Sequence, residues 1–186
     1  DGEAWPHLLV EQGFREPILL DKVRCLSFST AMRIPFCTVD PACKDALNPG
    51  LHTTQVSAYW TVHNRNEKSP DAREMFWFGI PFFDARYPIP PANYALDGGK
   101  ADATHKFICL LEGKRFWSGN TGDGQWRELS VNLADLIREG LQITQQHGHM
   151  LHTAYEDLGL TSFNLGWEAA GPYNAALEVL GLSMKA

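Results

Sequence analysis

Alternation of apolar and polar residues at a period of two runs through much of the chain and predicts strands. Val23-Arg24-Cys25-Leu26-Ser27-Phe28-Ser29 alternates in this way, as a half-buried strand does. Thr54 to His63 is the clearest case. Val56, Ala58, Trp60 and Val62 fall on one face, and Gln55, Ser57, Tyr59, Thr61 and His63 on the other. Glu74 to Phe83 is nearly continuous in apolar and aromatic residues, which suits a central strand covered on both faces. Gly79 and Pro81 would bend that strand or end its pairing. With Phe76 and Phe78 turned to the core, Met75 and Trp77 share the open face. Lys106 to Glu112 reads as a further strand, and Arg115-Phe116-Trp117 as a short returning one. Near the end, Phe163, Leu165 and Trp167 point one way and Asn164, Gly166 and Glu168 the other, before a last strand from Leu177 to Met184.

A different period appears once with clear boundaries. Leu133, Leu136, Ile137, Gly140 and Leu141 recur at helical spacing. Asn132 precedes them as a capping residue with Asp135 three positions on, and His147-Gly148 forms a stop. A second short helix is expected around Leu151–Leu158. Turn-rich segments separate these elements: Pro35 to His52, with Asp40-Pro41 and Asn48-Pro49-Gly50, then Asn64 to Pro70, and the Gly-rich loop Gly119–Gly124. Asp84 to Asp102 is rich in Pro and Gly and long enough to suggest a functional or mobile loop. About seven to nine strands with one helix inserted near 132–147 predict an all-β fold, a two-sheet β-sandwich of jelly-roll type formed by residues 1–186 as a single domain.

Charge narrows the function. Lys plus Arg number 16 against 22 Asp plus Glu, a formal net charge of -6. An acidic chain without a basic cluster makes a poor nucleic-acid partner. No apolar run approaches the roughly 20 residues of a membrane span. The chain shows no signal peptide, and its start at Asp1 is read as a processed or excised one. The even cysteine count and the Trp content lean towards a secreted or extracytoplasmic protein. Cys37 and Cys43 bracket a turn and are candidates for a small disulfide loop. Cys25 with Cys109 is a second candidate pair, the alternative being two small buried hydrophobes.

On a sandwich, the outer, concave face of one sheet can hold an extended polymer. Period-two sorting places Gln55, Tyr59 and His63 there from one strand, Trp77 from the aromatic strand, and Asn164 and Glu168 from another. Aromatic faces stack on pyranose rings while amides, imidazole and carboxylate bond hydroxyls. The competing reading is that the aromatics are core and that Glu168 serves a salt bridge at a strand end. Asp84 and Arg86 share a face of an extended segment, either bracing the loop as a bidentate pair or binding sugar hydroxyls. His147, His149 and His152 are a candidate metal cluster or a polar surface loop, with no carboxylate base placed among them. Asp97, Asp102 and Asp123 suggest at most a structural calcium ion, without EF-hand spacing. No cofactor is implied, and no metal ligand set is assigned.

Phe163-Asn164-Leu165-Gly166-Trp167-Glu168, followed by Gly171-Pro172 and a final strand, resembles the end of concanavalin-A-like jelly-roll glycan-active proteins, the family-twelve endoglucanase type in particular. The resemblance implies a Gly-x-Glu acid/base at Glu168 and a nucleophile Glu early in an aromatic strand, where Glu74, Met75 and Trp77 occur in that order. The register departs by one: the family's Glu stands four residues before the Trp, and Glu74 stands three before Trp77. A shift of one changes the face of the sheet. The leading expectation is therefore a carbohydrate-binding β-sandwich. The first alternative is a glycoside hydrolase or polysaccharide lyase with Glu168 and a second carboxyl, Glu74 or Asp84, a retaining pair standing roughly 5–5.5 Å apart. The second alternative is an interaction module that docks on other domains of a larger protein.

Overall fold

The structure is a computed structural model and describes residues 6–48, 50–98 and 103–186. Among them are nine strands: β1 (His7–Leu19), β2 (Ser27–Val39), β3 (Thr53–Asn64), β4 (Met75–Asp84), β5 (Asn93–Leu96), β6 (Phe107–Leu110), β7 (Arg127–Asn132), β8 (Leu158–Ala170) and β9 (Tyr173–Lys185). One α-helix, α1 (Leu133–Gln146), lies between β7 and β8. The strands form a six-stranded sheet in the order β1-β8-β3-β4-β6-β5 and a three-stranded sheet in the order β7-β2-β9. Among the described residues, only β4 and β6 pair in parallel. The chain is the expected β-sandwich with a single inserted helix.

The core lies between the sheets. β3 contributes Val56, Ala58, Trp60 and Val62, β4 contributes Phe76 and Phe78, and β2 contributes Phe28, Met32 and Ile34, all buried. Trp60 meets Phe28 edge-on with ring centroids 4.9 Å apart and packs against Phe163 at 5.1 Å. These three rings join β3 and β8 of the large sheet to β2 of the small one. α1 covers the remaining inner surface. Its Asn132 cap accepts from Ala134 N (3.2 Å) and also from Leu26 N (2.9 Å), which ties the helix start to the segment entering β2. Gly140 lets the helix approach the sheet, because a Cβ there would lie 2.8 Å from the Phe78 ring.

Several elements differ from the sequence reading. β1 and β7 are strands that the pattern did not announce, since each has few inward apolar positions. β2 starts later than Val23 and continues past Pro35, because β9 supplies partners as far as Val39 beyond an irregularity between Arg33 and Phe36. The long loop contains β5, paired with β6. Residues Gly113–Arg115 form a 3-10 turn rather than leading into a strand, and Trp117 is buried with Nε1 donating to Pro81 O at 2.6 Å. The second helix shrinks to a 3-10 turn at Tyr155–Asp157.

Neither disulfide forms: all four cysteines are free. Cys109 is buried in β6 and Cys25 is exposed ahead of β2, so they cannot meet. Cys37 sits in the β2–β9 ladder opposite Ala175, whereas Cys43 belongs to the following 3-10 turn. Burial pushes the Cys37 thiol up to about 11 and the Cys109 thiol up to about 12.

Gly140→Leu should overpack the helix–sheet contact and lower stability by about 1–3 kcal/mol. Urea unfolding measures this; an unchanged midpoint would mean that the helix does not rest on Phe76 and Phe78.

Candidate functional site

The outer face of the six-stranded sheet is built by register. Tyr59 stands between Gly79 of β4 and Asn164 of β8, and Gln55 between Asp84 and Glu168. Thr61 stands beside Trp77, and His63 beside Met75. The alternation that buries Trp60 therefore delivers Gln55, Ser57, Tyr59, Thr61 and His63 to one surface. On β8 the same rule brings Asn164 and Glu168 to that surface.

Local contacts fix the side chains. Gln55 Nε2 donates to Glu168 Oε2 at 2.7 Å. The Tyr59 ring lies against Gly79, where a Cβ would come within 2.5 Å of it. Only glycine leaves room for that ring. Burial, and then the charge of Glu168, raises the Tyr59 phenol well above its usual range, so it remains a neutral hydrogen-bonding group at neutral pH. Trp77 stands edge-on to Tyr59 at 6.4 Å. Its indole Nε1 donates to Thr104 Oγ1 (3.0 Å), and the Thr104 hydroxyl donates to Asp97 Oδ2 (2.6 Å). Two aromatic rings are thus held in place on the open face before any ligand arrives.

At the Gln55 end the face deepens into a cavity of about 410 Å³. Gln55, Ser57 and Tyr59 contribute to its lining from β3, and Arg86, Tyr87 and Pro90 from the loop after β4. That loop is tied down. Thr121 donates to Pro88 O through both N (2.8 Å) and Oγ1 (3.2 Å), and Gly113 N donates to Pro90 O (3.0 Å).

The expected carboxyl pairing is only half assembled. Glu74 is not brought to Glu168. Asn64 N donates to the Glu74 carbonyl, so Glu74 lies at the Asn64 end of β3, while Glu168 lies at the Gln55 end. Nine positions along a strand separate two groups by about 30 Å. Glu74 instead pairs with Lys106 at 2.7 Å. Asp84 is the carboxyl nearest in register, two strands from Glu168 across Gln55, or about 10 Å between Cα atoms. Its oxygens are occupied, however. Thr53 Oγ1 and the Arg86 N and Nε donate to Oδ1, and Arg86 Nη2 donates to Oδ2 at 2.7 Å. The Asp84–Arg86 pair braces the loop, and the hydrogen bonds that Arg86 donates to Asp84 raise the Arg86 pKa. Glu168 keeps one oxygen without a hydrogen bond among the described residues.

The other candidates do not assemble into ion sites. His147 Nδ1 bonds Ile143 O (2.8 Å), and the His147 and His149 rings lie against Phe107. Asp123 forms a two-pronged pair with Arg127, which holds its carboxyl down at about 2. Asp97 serves Thr104, and Asp102 lies outside the described residues. Among the described residues no group of three His, Cys, Asp or Glu side chains could hold a metal ion.

Sequence reasoning missed Thr104, Asn93 and Tyr87. The last two line the cavity from the loop and the short strand after β4, which no periodicity marks. Ser57 carried the right alternation, but its small size gave it no prominence.

No protein-family model and no curated protein matches the chain. Solved structures do match. A family 12 xyloglucanase from Bacillus licheniformis shares 11% identity, covering 100% of this chain and 75% of that one at a TM-score of 0.50. The same enzyme in complex with ligand also aligns at 0.50, covering 99% and 75%. An endo-1,4-beta-glucanase shares 16% identity, covering 99% and 75%, at 0.49. The chain has the jelly-roll β-sandwich fold of family 12 glycoside hydrolases.

Burial, with Arg65 and Lys106 nearby, lowers the His63 pKa below 6.5. The unfolded chain then binds this proton more readily. The stability contribution is present above pH 6.5 and is lost as pH falls through the lowered folded value. NMR titration of the imidazole should give a midpoint under 6.5, and His63→Gln should flatten that part of the stability profile. A midpoint at or above 6.5 would contradict the burial.

Proposed function

We propose that the open face of the six-stranded sheet binds an extended, neutral β-linked polysaccharide outside the cytoplasm. The supporting observation is the fixed row of Trp77, Tyr59, Asn164, Gln55 and Glu168, in which two rings and three polar side chains share one surface. The rings offer apolar faces to pyranose units, and the amides and carboxylate bond hydroxyls. The net charge of -6 and the carboxylates at Glu168 and Asp84 disfavour an anionic polymer. Xyloglucan is the first ligand to test, because the aligned Bacillus enzyme is a xyloglucanase. A polymer of this size does not cross a membrane, so a protein that binds it works where the polymer is. No helix among the described residues is long and apolar enough to span a bilayer.

Hydrolysis is the second reading, favoured by the shared fold and by the unbonded oxygen of Glu168. On that reading Glu168 protonates the leaving oxygen and Asp84 is the second carboxyl. Both oxygens of Asp84 are already committed to the four donors that brace the loop. For that reason binding stands first.

Calorimetry with xyloglucan oligosaccharides and a reducing-sugar assay on the polymer separate the two. Trp77→Ala should weaken binding by about 1–3 kcal/mol, as truncation of a buried aromatic anchor does. Unchanged affinity would remove the open face from the site. If the native chain releases reducing sugar, Glu168→Gln should cut turnover at least about 100-fold while retaining binding. No release alongside intact binding supports a binding protein.

A further inference from the structure

The two sheets are unequal, and the smaller one ends early. α1 covers the β4 and β6 side of the large sheet. β9 follows β8 through Gly171-Pro172, so the free edge of the small sheet points towards β1. β1 therefore overhangs it. Leu8 and Val10 stand opposite Trp167 and Leu165, on the inner face, yet they are 75% and 58% exposed. Among the described residues no strand pairs with the outer edge of β9, and Leu8 and Val10 offer an apolar floor on the overhanging strand.

β9 is suited to fill that position from a second molecule. It is 13 residues long, lacks proline and, among the described residues, pairs only with β2. A long open edge is a template on which another strand can pair. Its ladder with β2 shifts register near Gly181, which has φ +61. About that point the strand is self-complementary. Val179 and Met184 face inward, opposite buried Met32 and Phe28, while Glu178, Leu180, Ser183 and Lys185 face outward.

We infer that two copies of this chain associate by antiparallel pairing of β9 with β9, joining their small sheets into one six-stranded sheet. Glu178 of each copy, whose Oε2 accepts from Arg33 Nε of its own chain at 2.7 Å, lies opposite Lys185 of the other. Leu180 then faces Ser183 on the outer side and Val179 faces Met184 on the inner side, so every pair matches in face. The partner's Val179 and partner's Met184 come to rest over Leu8 and Val10. Opposite charges directly across a ladder stabilise it and like charges oppose it. The interface is isologous and closes on itself. It leaves the polysaccharide face of both copies open.

Sedimentation equilibrium over a micromolar-to-millimolar series tests this. The native chain should shift from monomer to dimer, and Leu8→Lys with Val10→Lys should remain monomeric while keeping its circular dichroism, since both positions are exposed in the single chain. Lys185→Glu, which sets like charges opposite Glu178 of the other copy, should weaken the dimer by about tenfold. A native chain that stays monomeric throughout would overturn the inference. So would a Leu8→Lys, Val10→Lys protein that dimerises like the native one, or a Lys185→Glu protein whose dimer is as tight as the native.

Discussion

Trp60 is the residue on which the rest of the arrangement depends. It is fully buried at the centre of β3, with Phe28 of the opposite sheet edge-on to it and Phe163 and Phe78 on its flanks. A side chain of that size fixes which face of β3 points inward. Because side chains alternate along a strand, the choice at Trp60 also sets Gln55, Ser57, Tyr59 and His63 outward. Core and site are thus two readings of one alternation. Slipping β3 by one residue would bury Tyr59 and Gln55 and turn Trp60 to solvent.

Two further constraints convert that face into a shaped surface. Gly79 removes a side chain where Tyr59 would otherwise be lifted off the sheet, and the Asp97–Thr104 relay holds the indole of Trp77. The Asp84–Arg86 pair and the hydrogen bonds onto Pro88 and Pro90 fix the loop beyond β4. A surface held this way loses little conformational freedom on binding, which favours affinity for a flexible polymer. The same bracing commits Asp84 to structure and leaves Glu168 as the carboxylate with an available oxygen.

What the sequence revealed follows from the range over which its signals act. β3, β4 and α1 were legible because each carries a local period and, for the helix, a cap at Asn132. The sorting of Tyr59, Trp77, Asn164 and Glu168 onto one face needed only parity and the knowledge of which side is core. Long-range placement was out of reach. Glu74 and Glu168 each lie near a strand end, and nothing local says that these are opposite ends of the sheet. β2 continues through Pro35 because β9 offers it a partner, Phe36 pairing with Ala176, 140 residues later. The cysteine pairings failed for the same reason: spacing along the chain does not reveal that Cys109 is inside and Cys25 outside.

The central claim is that ligand recognition occupies the open face of the six-stranded sheet. Mapping backbone amide shifts by NMR as xyloglucan oligosaccharide is added tests it most directly. The account expects the largest changes at Ser57, Tyr59, Trp77, Asn164 and Glu168, with β2 and β9 unmoved. Changes confined to the outer face of the small sheet, or none with any neutral β-glucan, would contradict it.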